Sequence, residues 1–208
     1  MPDGESLLLF LGATLALNFT PGPDMLYVAA RSSAEGRTAG VVSALGIAAG
    51  CLVHIGTLGL GLAGVLAAVP AAYDIVRLAG AGYLVWLGMR MLFRPEQVGQ
   101  SAEIEPARLG AVFRQGVLTN VLNPKVALFF LAFLPQFVDP ARGAMPQILA
   151  LGLLFNLSGT LVNLGVALLA SRATGWLRQR RRGAALLRRL TGAVFIGLGV
   201  RLALGGRR

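Results

Sequence analysis

The sequence predicts an all-α integral membrane protein of six transmembrane helices in two inverted three-helix repeats. Three observations predict it. The chain of 208 residues is apolar throughout, 55% hydrophobic and 13% charged, with a mean hydropathy of +0.69; soluble domains carry about 25% charged residues. Its apolar residues fall into six runs, each close to the about 20 residues that a spanning helix needs. A short polar pattern built on proline recurs in the first and fourth of these runs.

The first run covers about residues 6–30. Asp3 and Glu5 precede it where a secretory signal would carry basic residues, and it meets Thr20-Pro21-Gly22-Pro23-Asp24 in place of a small-residue cleavage site. It is therefore expected to stay as a span. The second run, about 40–69, exceeds what a bilayer needs and is expected to tilt. The third, about 74–93, and the sixth, about 186–204, are the shortest, and Arg188, Arg189 and Arg201 crowd the ends of the sixth. The fourth and fifth cover about 114–138 and 146–171. A polar linker at about 95–108, with Glu96, Glu103 and Glu105, divides the single membrane domain into pseudo-repeats of about 1–95 and 109–208.

The net charge of +10 does not point to nucleic acid, because the arginines fill the gaps between apolar runs and form no basic face. They read as topology signals. Thirteen arginines belong to the first, third and fifth loops and five to the other side, which predicts that loops one, three and five are cytoplasmic. Cys51 is the only cysteine, so no disulfide within the chain and no cysteine pair for metal or redox work is expected. No cofactor or metal set is evident.

The recurring pattern carries the functional reading. Asn18-Phe19-Thr20-Pro21-Gly22-Pro23-Asp24 lies in the first run and Thr119-Asn120-Val121-Leu122-Asn123-Pro124-Lys125 in the fourth. A shift of 101 positions lays Pro23 on Pro124 and Asp24 on Lys125. Three spans per half force the two copies into opposite orientations, the plan of many secondary transporters. Proline deletes a backbone donor and displaces the carbonyl four residues back, and in lipid such a break is tolerated only against protein or a wet cavity. Pro21, Gly22, Pro23 and Pro124 are thus the predicted helix breaks. Asn123-Pro124 reads as a cap followed by a first-turn proline, and the new helix start favours an anion.

Asp24 and Lys125, the only lysine, would each cost about 2.5–3.5 kcal/mol if left ionised and alone in lipid. Either they pair with each other, or they bind a solute that carries both signs. An amino acid offers its ammonium to Asp24 and its carboxylate to Lys125 and the turn at Asn123. Asn18, Thr20, Asn120, Asn156 and Asn163 are further candidates to line the pathway; Asn156 and Asn163, seven apart, share a helix face. His54, a residue type that can exchange protons near neutral pH, is with Asp24 a candidate proton relay. Tyr27 lies one turn from Asp24. Gly46 and Gly50 form a small-xxx-small pattern that permits close helix contact, within one subunit or between two.

Thr20-Pro21-Gly22-Pro23-Asp24-Met25, then Asn120-Val121-Leu122-Asn123-Pro124-Lys125 running into Phe129-Phe130 and Leu134-Pro135-Gln136-Phe137, resemble the signatures of the lysine-exporter (LysE/RhtB) superfamily. Gly80-Ala81-Gly82-Tyr83-Leu84-Val85-Trp86-Leu87-Gly88 is similar to its third-span pattern. The resemblance implies an exporter of amino acids or related metabolites in the bacterial inner membrane, driven by the proton motive force, and allows a homodimer. Three rivals stand beside it. A cation transporter would want several carboxylates in the spans, where Asp24 alone is plain. A membrane-embedded enzyme would want more than Cys51 and His54 on one helix without an acidic partner. A structural or lipid-handling protein would use Asp24 and Lys125 only as a stabilising pair.

Overall fold

The computed structural model describes residues 4–62, 107–139 and 142–171, with scattered helical positions between 78 and 93 and between 193 and 203. The predicted third and sixth spans, and nearly all of the polar linker, lie largely outside the described residues. All regular structure among the described residues is helical. Helix α1 spans Gly4–Phe19 and α2 spans Pro23–Glu35. Helix α3, Arg37–Thr57, runs on as a π-helical turn over Leu58–Leu62. Helix α4 spans Leu109–Val121, and α5, Pro124–Leu128, continues through a π turn, Phe129–Phe133, and a 3-10 turn, Leu134–Phe137. Helix α6 spans Ala144–Ala170.

Among the described residues, two stretches are long and apolar enough to cross a membrane, Arg37–Gly61 and Ala144–Ala170. Both are apolar around most of their circumference, as buried or lipid-embedded helices are. Two further stretches qualify only as bent pairs, α1 with α2 and α4 with α5 and its continuation, each bent by 45°. The bends fall at the prolines. Pro23 and Pro124 each occupy the first turn of a new helix, where the missing N–H costs nothing. At the second bend the Asn123 side chain accepts the Lys125 backbone N–H at 3.0 Å, an N-cap.

Two expected boundaries move. The helix after the first break runs to Glu35, so Arg31 belongs to α2 and not to a loop, and it is buried at 7% exposure. Helix α2 stops at Gly36, whose φ of 88° and ψ of 179° only glycine adopts readily. Helix α4 begins at Leu109, so Arg114 also lies within a helix.

The glycines of α3 settle which surface they serve. A Cβ on Gly50 would come within 2.7 Å of Val117 O, and one on Gly116 within 2.8 Å of Ser43 O; Gly46 faces the Phe113 carbonyl in the same way. The α3–α4 contact is thus backbone on backbone, within one chain. A second core is aromatic. Phe10 of α1 packs edge-on to Phe137 at 5.3 Å between centroids, and Phe129 stacks on Phe155 of α6 at 4.6 Å. Leu8, Leu60, Leu157 and Leu161 are exposed on the outside, an arrangement that suits lipid and not water.

Candidate functional site

The two breaks face each other. Helix α1 ends with the Thr20 hydroxyl donating to Ala16 O at 2.6 Å and the Thr20 N–H to Leu17 O at 3.1 Å. Lys125, from the first turn of α5, reaches across and donates its ammonium to Leu17 O at 3.2 Å and Thr20 O at 2.9 Å. It caps the negative end of the α1 dipole with a positive charge. Gly22 makes room: a Cβ there would stand 3.0 Å from Lys125 Nζ. In the other direction, Asn120 of α4 donates to Asp24 Oδ2 at 2.7 Å. Both contacts run from the second half of the chain onto the first, while the second break keeps its own Asn123 cap.

Three polar atoms at this crossing are buried without a well-formed hydrogen bond: Asp24 Oδ1, Asn120 Oδ1 and Asn123 Nδ2, with the Asn123 amide standing beside the Asp24 carboxylate. Asp24 is 8% exposed, Asn120 2% and Asn123 1%. Buried polar atoms are rarely left so, and a cluster of them marks a place where polar groups of a ligand have something to gain. Two acceptors and one donor suit a solute with both an ammonium and an acceptor group.

A cavity of about 30 Å³ opens beside them, lined by Asn18, Thr20, Asp24, Asn120, Lys125, Asn156 and Asn163, together with Met25, Ile47, Cys51, Val126, Phe155, Gly159 and Thr160. It admits water-sized molecules, so an amino acid would enter only after the walls part. Seven of the eight predicted binding residues line it. The eighth, Asn123, stands behind the wall as the cap of α5. The α6 side is ordered by its own polar contacts. Asn18 donates to Ser158 Oγ at 3.0 Å and approaches Gly159 closely. Asn156 donates to Ala48 O at 3.3 Å and accepts from the Thr160 hydroxyl at 3.4 Å.

His54 does not touch Asp24. Its Nε2 lies 3.1 Å from Asn120 O; a carbonyl only accepts, so this nitrogen carries the hydrogen. The ring stacks against Phe130. Asn120 thus stands between histidine and carboxylate, with its backbone on one and its amide on the other. Thr160, which the sequence offers beside Asn156 and Asn163 as a pathway residue, lines the cavity; sequence reasoning missed Cys51, Met25 and Phe155 as cavity walls. Among the described residues no three His, Cys, Asp or Glu side chains gather as a metal ion requires.

Comparison with known proteins finds relatives along nearly the whole chain. Residues 15–206 match the family model described as LysE type translocator. An uncharacterized membrane protein of Pseudomonas aeruginosa is 35% identical over 192 residues, 88% of each chain. A homoserine/homoserine lactone efflux protein of Salmonella typhimurium is 28% identical over 194 residues, 93% of this chain and 94% of its own. A leucine efflux protein of Klebsiella pneumoniae is 30% identical over 200 residues, 94% of this chain and 93% of its own. No solved structure matches the chain.

Proposed function

Because the chain belongs to the LysE type translocator family, we propose that it exports a small amino acid or amino-acid derivative from the bacterial cytoplasm by alternating access. Each bent pair is read as one broken span, within six spans forming two inverted repeats across the inner membrane, with loops one, three and five cytoplasmic. The observation that carries the reading is the cluster of buried polar atoms without well-formed hydrogen bonds between two helix breaks, flanked by one carboxylate and one ammonium. The solute's ammonium is assigned to Asp24 Oδ1 and Asn120 Oδ1. Its carboxylate is assigned to Lys125 and the turn at Asn123, and its side chain to the wall of Asn156, Thr160 and Asn163. The wall carries no second carboxylate among the described residues, which favours neutral over basic amino acids. The relatives named for homoserine and leucine efflux support the same class.

Lys125 gives the site a way to respond to its solute. A carboxylate that draws the ammonium off Leu17 O and Thr20 O would free the end of α1. Binding then favours a conformation in which α1 is released, and a solute shifts such an equilibrium only through contacts that differ between the two states. Asp24, with His54 one residue behind it, is the proposed proton carrier that couples export to the proton motive force.

The test is efflux of a labelled amino-acid panel from vesicles containing the purified protein under an imposed pH gradient. One class of amino acid should move, dependent on the gradient, and Asp24→Asn and Lys125→Met should each abolish the movement while folding. A double variant that works better than either single one would reduce the two charges to a stabilising pair. No movement of any amino acid from folded, oriented protein would overturn the exporter reading.

A further inference from the structure

From the site at the breaks, a line of polar contacts runs between α2 and α4 to the opposite end of both helices. Tyr27 donates its hydroxyl to Val112 O at 2.7 Å. Arg31 donates to Gln115 Oε1 at 2.6 Å, lies over the Tyr27 ring at 5.8 Å, and pairs with Glu35. The other Glu35 oxygen accepts the Ala107 N–H at 2.9 Å, at the start of α4. Asp24, Tyr27, Arg31 and Glu35 are spaced by three and four residues and so occupy one face of α2. The line begins at Asp24 with Asn120 and ends at Glu35 and Ala107.

This seam is unlike its neighbours. Helix α4 meets α3 backbone to backbone at Gly46, Gly50 and Gly116, with no space to give. Helix α2 packs on α3 and α6 through Val28, Ala44, Ile47 and Ala167, and Ser32 donates to Ala167 O at 2.5 Å. Those contacts hold both helices in place. Between α2 and α4, Tyr27, Arg31 and Gln115 make their contacts through long polar side chains. Such groups exchange protein partners for water at small net change, and water is available at the outer end of the seam. The side chains can therefore swing aside while the helices stay.

We propose that Tyr27, Arg31, Glu35 and Gln115 form a side-chain gate that closes the path from the loop end of α2 and α4 to the Asp24 site. The proposal rests on the reading of that site as a transport site. Arg31 and Tyr27 are the leaf, Gln115 and the Val112 carbonyl are the catch, and Glu35 ties Arg31 to the mouth of α4. The structure is the gate's closed state, and solute from that side reaches Asp24 only when Arg31 leaves Gln115.

Cys51 lines the cavity behind the gate, is 2% exposed and is the only cysteine in the chain, so it reports on opening. A small water-soluble thiol reagent applied from the loop side should label it slowly in the native protein. In Arg31→Gln with Glu35→Gln, labelling should quicken about tenfold, the change expected when loss of a charge-assisted contact raises the open population. An unchanged rate in folded protein would reduce the network to a structural one. A second measurement does not depend on that variant. With Arg31→Cys and Gln115→Cys in a Cys51→Ala background, a reducible cross-linker should stop transport, and reduction should restore it. Transport that continues through the cross-link overturns the gate. The labelling reads the gate whatever the solute, so its failure is distinct from failure of the exporter reading.

Discussion

Lys125 does more in the structure than its charge suggested. The sequence shows a lone lysine behind a proline and allows two readings, a solute's partner or Asp24's. In the structure its ammonium holds the last carbonyls of α1. No local pattern announces that contact, because it joins residues 105 and 108 positions apart. Gly22 is the neighbour that permits it. The backbone there is extended, with φ −162° and ψ −177°, so alanine suits it, but an alanine Cβ meets the ammonium. Gly22→Ala should fold normally, with an unchanged melting midpoint, while efflux falls severalfold as Lys125 is pushed from α1. Asn120→Ala should act the other way, on stability. It strips the Asp24 carboxylate of its amide partner, a loss of about 1–3 kcal/mol, read as a lowered unfolding midpoint in detergent. If Asn120→Ala melts like the native protein, the amide does not hold the carboxylate.

At the scale of elements, the breaks were legible and their consequences only partly so. Proline chemistry is local, and Pro23 and Pro124 start helices where the sequence puts them. Where helices stop was less legible: α2 passes through Arg31 to Glu35 because the reversal waits for Gly36. Burial of Arg31 depends on Gln115, 84 positions away, which no window around residue 31 contains. The glycine pattern of α3 announced a close contact without its partner. That partner is α4, and the contact predicts a contrast. Gly46→Leu drives a side chain into the Phe113 carbonyl and should destabilise by about 1–3 kcal/mol. Gly12→Ala adds a Cβ into open space and should leave the unfolding midpoint where it is. Equal effects of the two would remove the α3–α4 seam as a fixed element.

For the molecule as a whole, the shift of 101 positions is the readable trace of the proposed two-repeat plan. The structure brings the two matching motifs together: Lys125 of the second holds the carbonyls that end α1, and Asn120 holds Asp24. The pairing was not readable, since a repeat says which residues are equivalent and not which ones meet. The orientation in the membrane remains an inference from the arginine count, and it makes a simple prediction. Gly110 is exposed at the start of α4 and has open space for a side chain. Gly110→Cys in a Cys51→Ala background should react with an impermeant thiol reagent in inverted vesicles and stay unreactive in intact cells. The reverse result would turn the protein over.

The reach of Lys125 onto α1 has a consequence for the transport cycle. A carrier must return empty after each delivery, and a bare carboxylate crossing the middle of a bilayer would stall there. Here Asp24 keeps its amide partner, and the nearby ammonium sits on helix carbonyls, so the empty site brings its own compensation. As the exporter proposed above, the chain should reset without cargo, as a one-way pump and not a swap shop: efflux should proceed at full rate into a compartment with no amino acid to exchange.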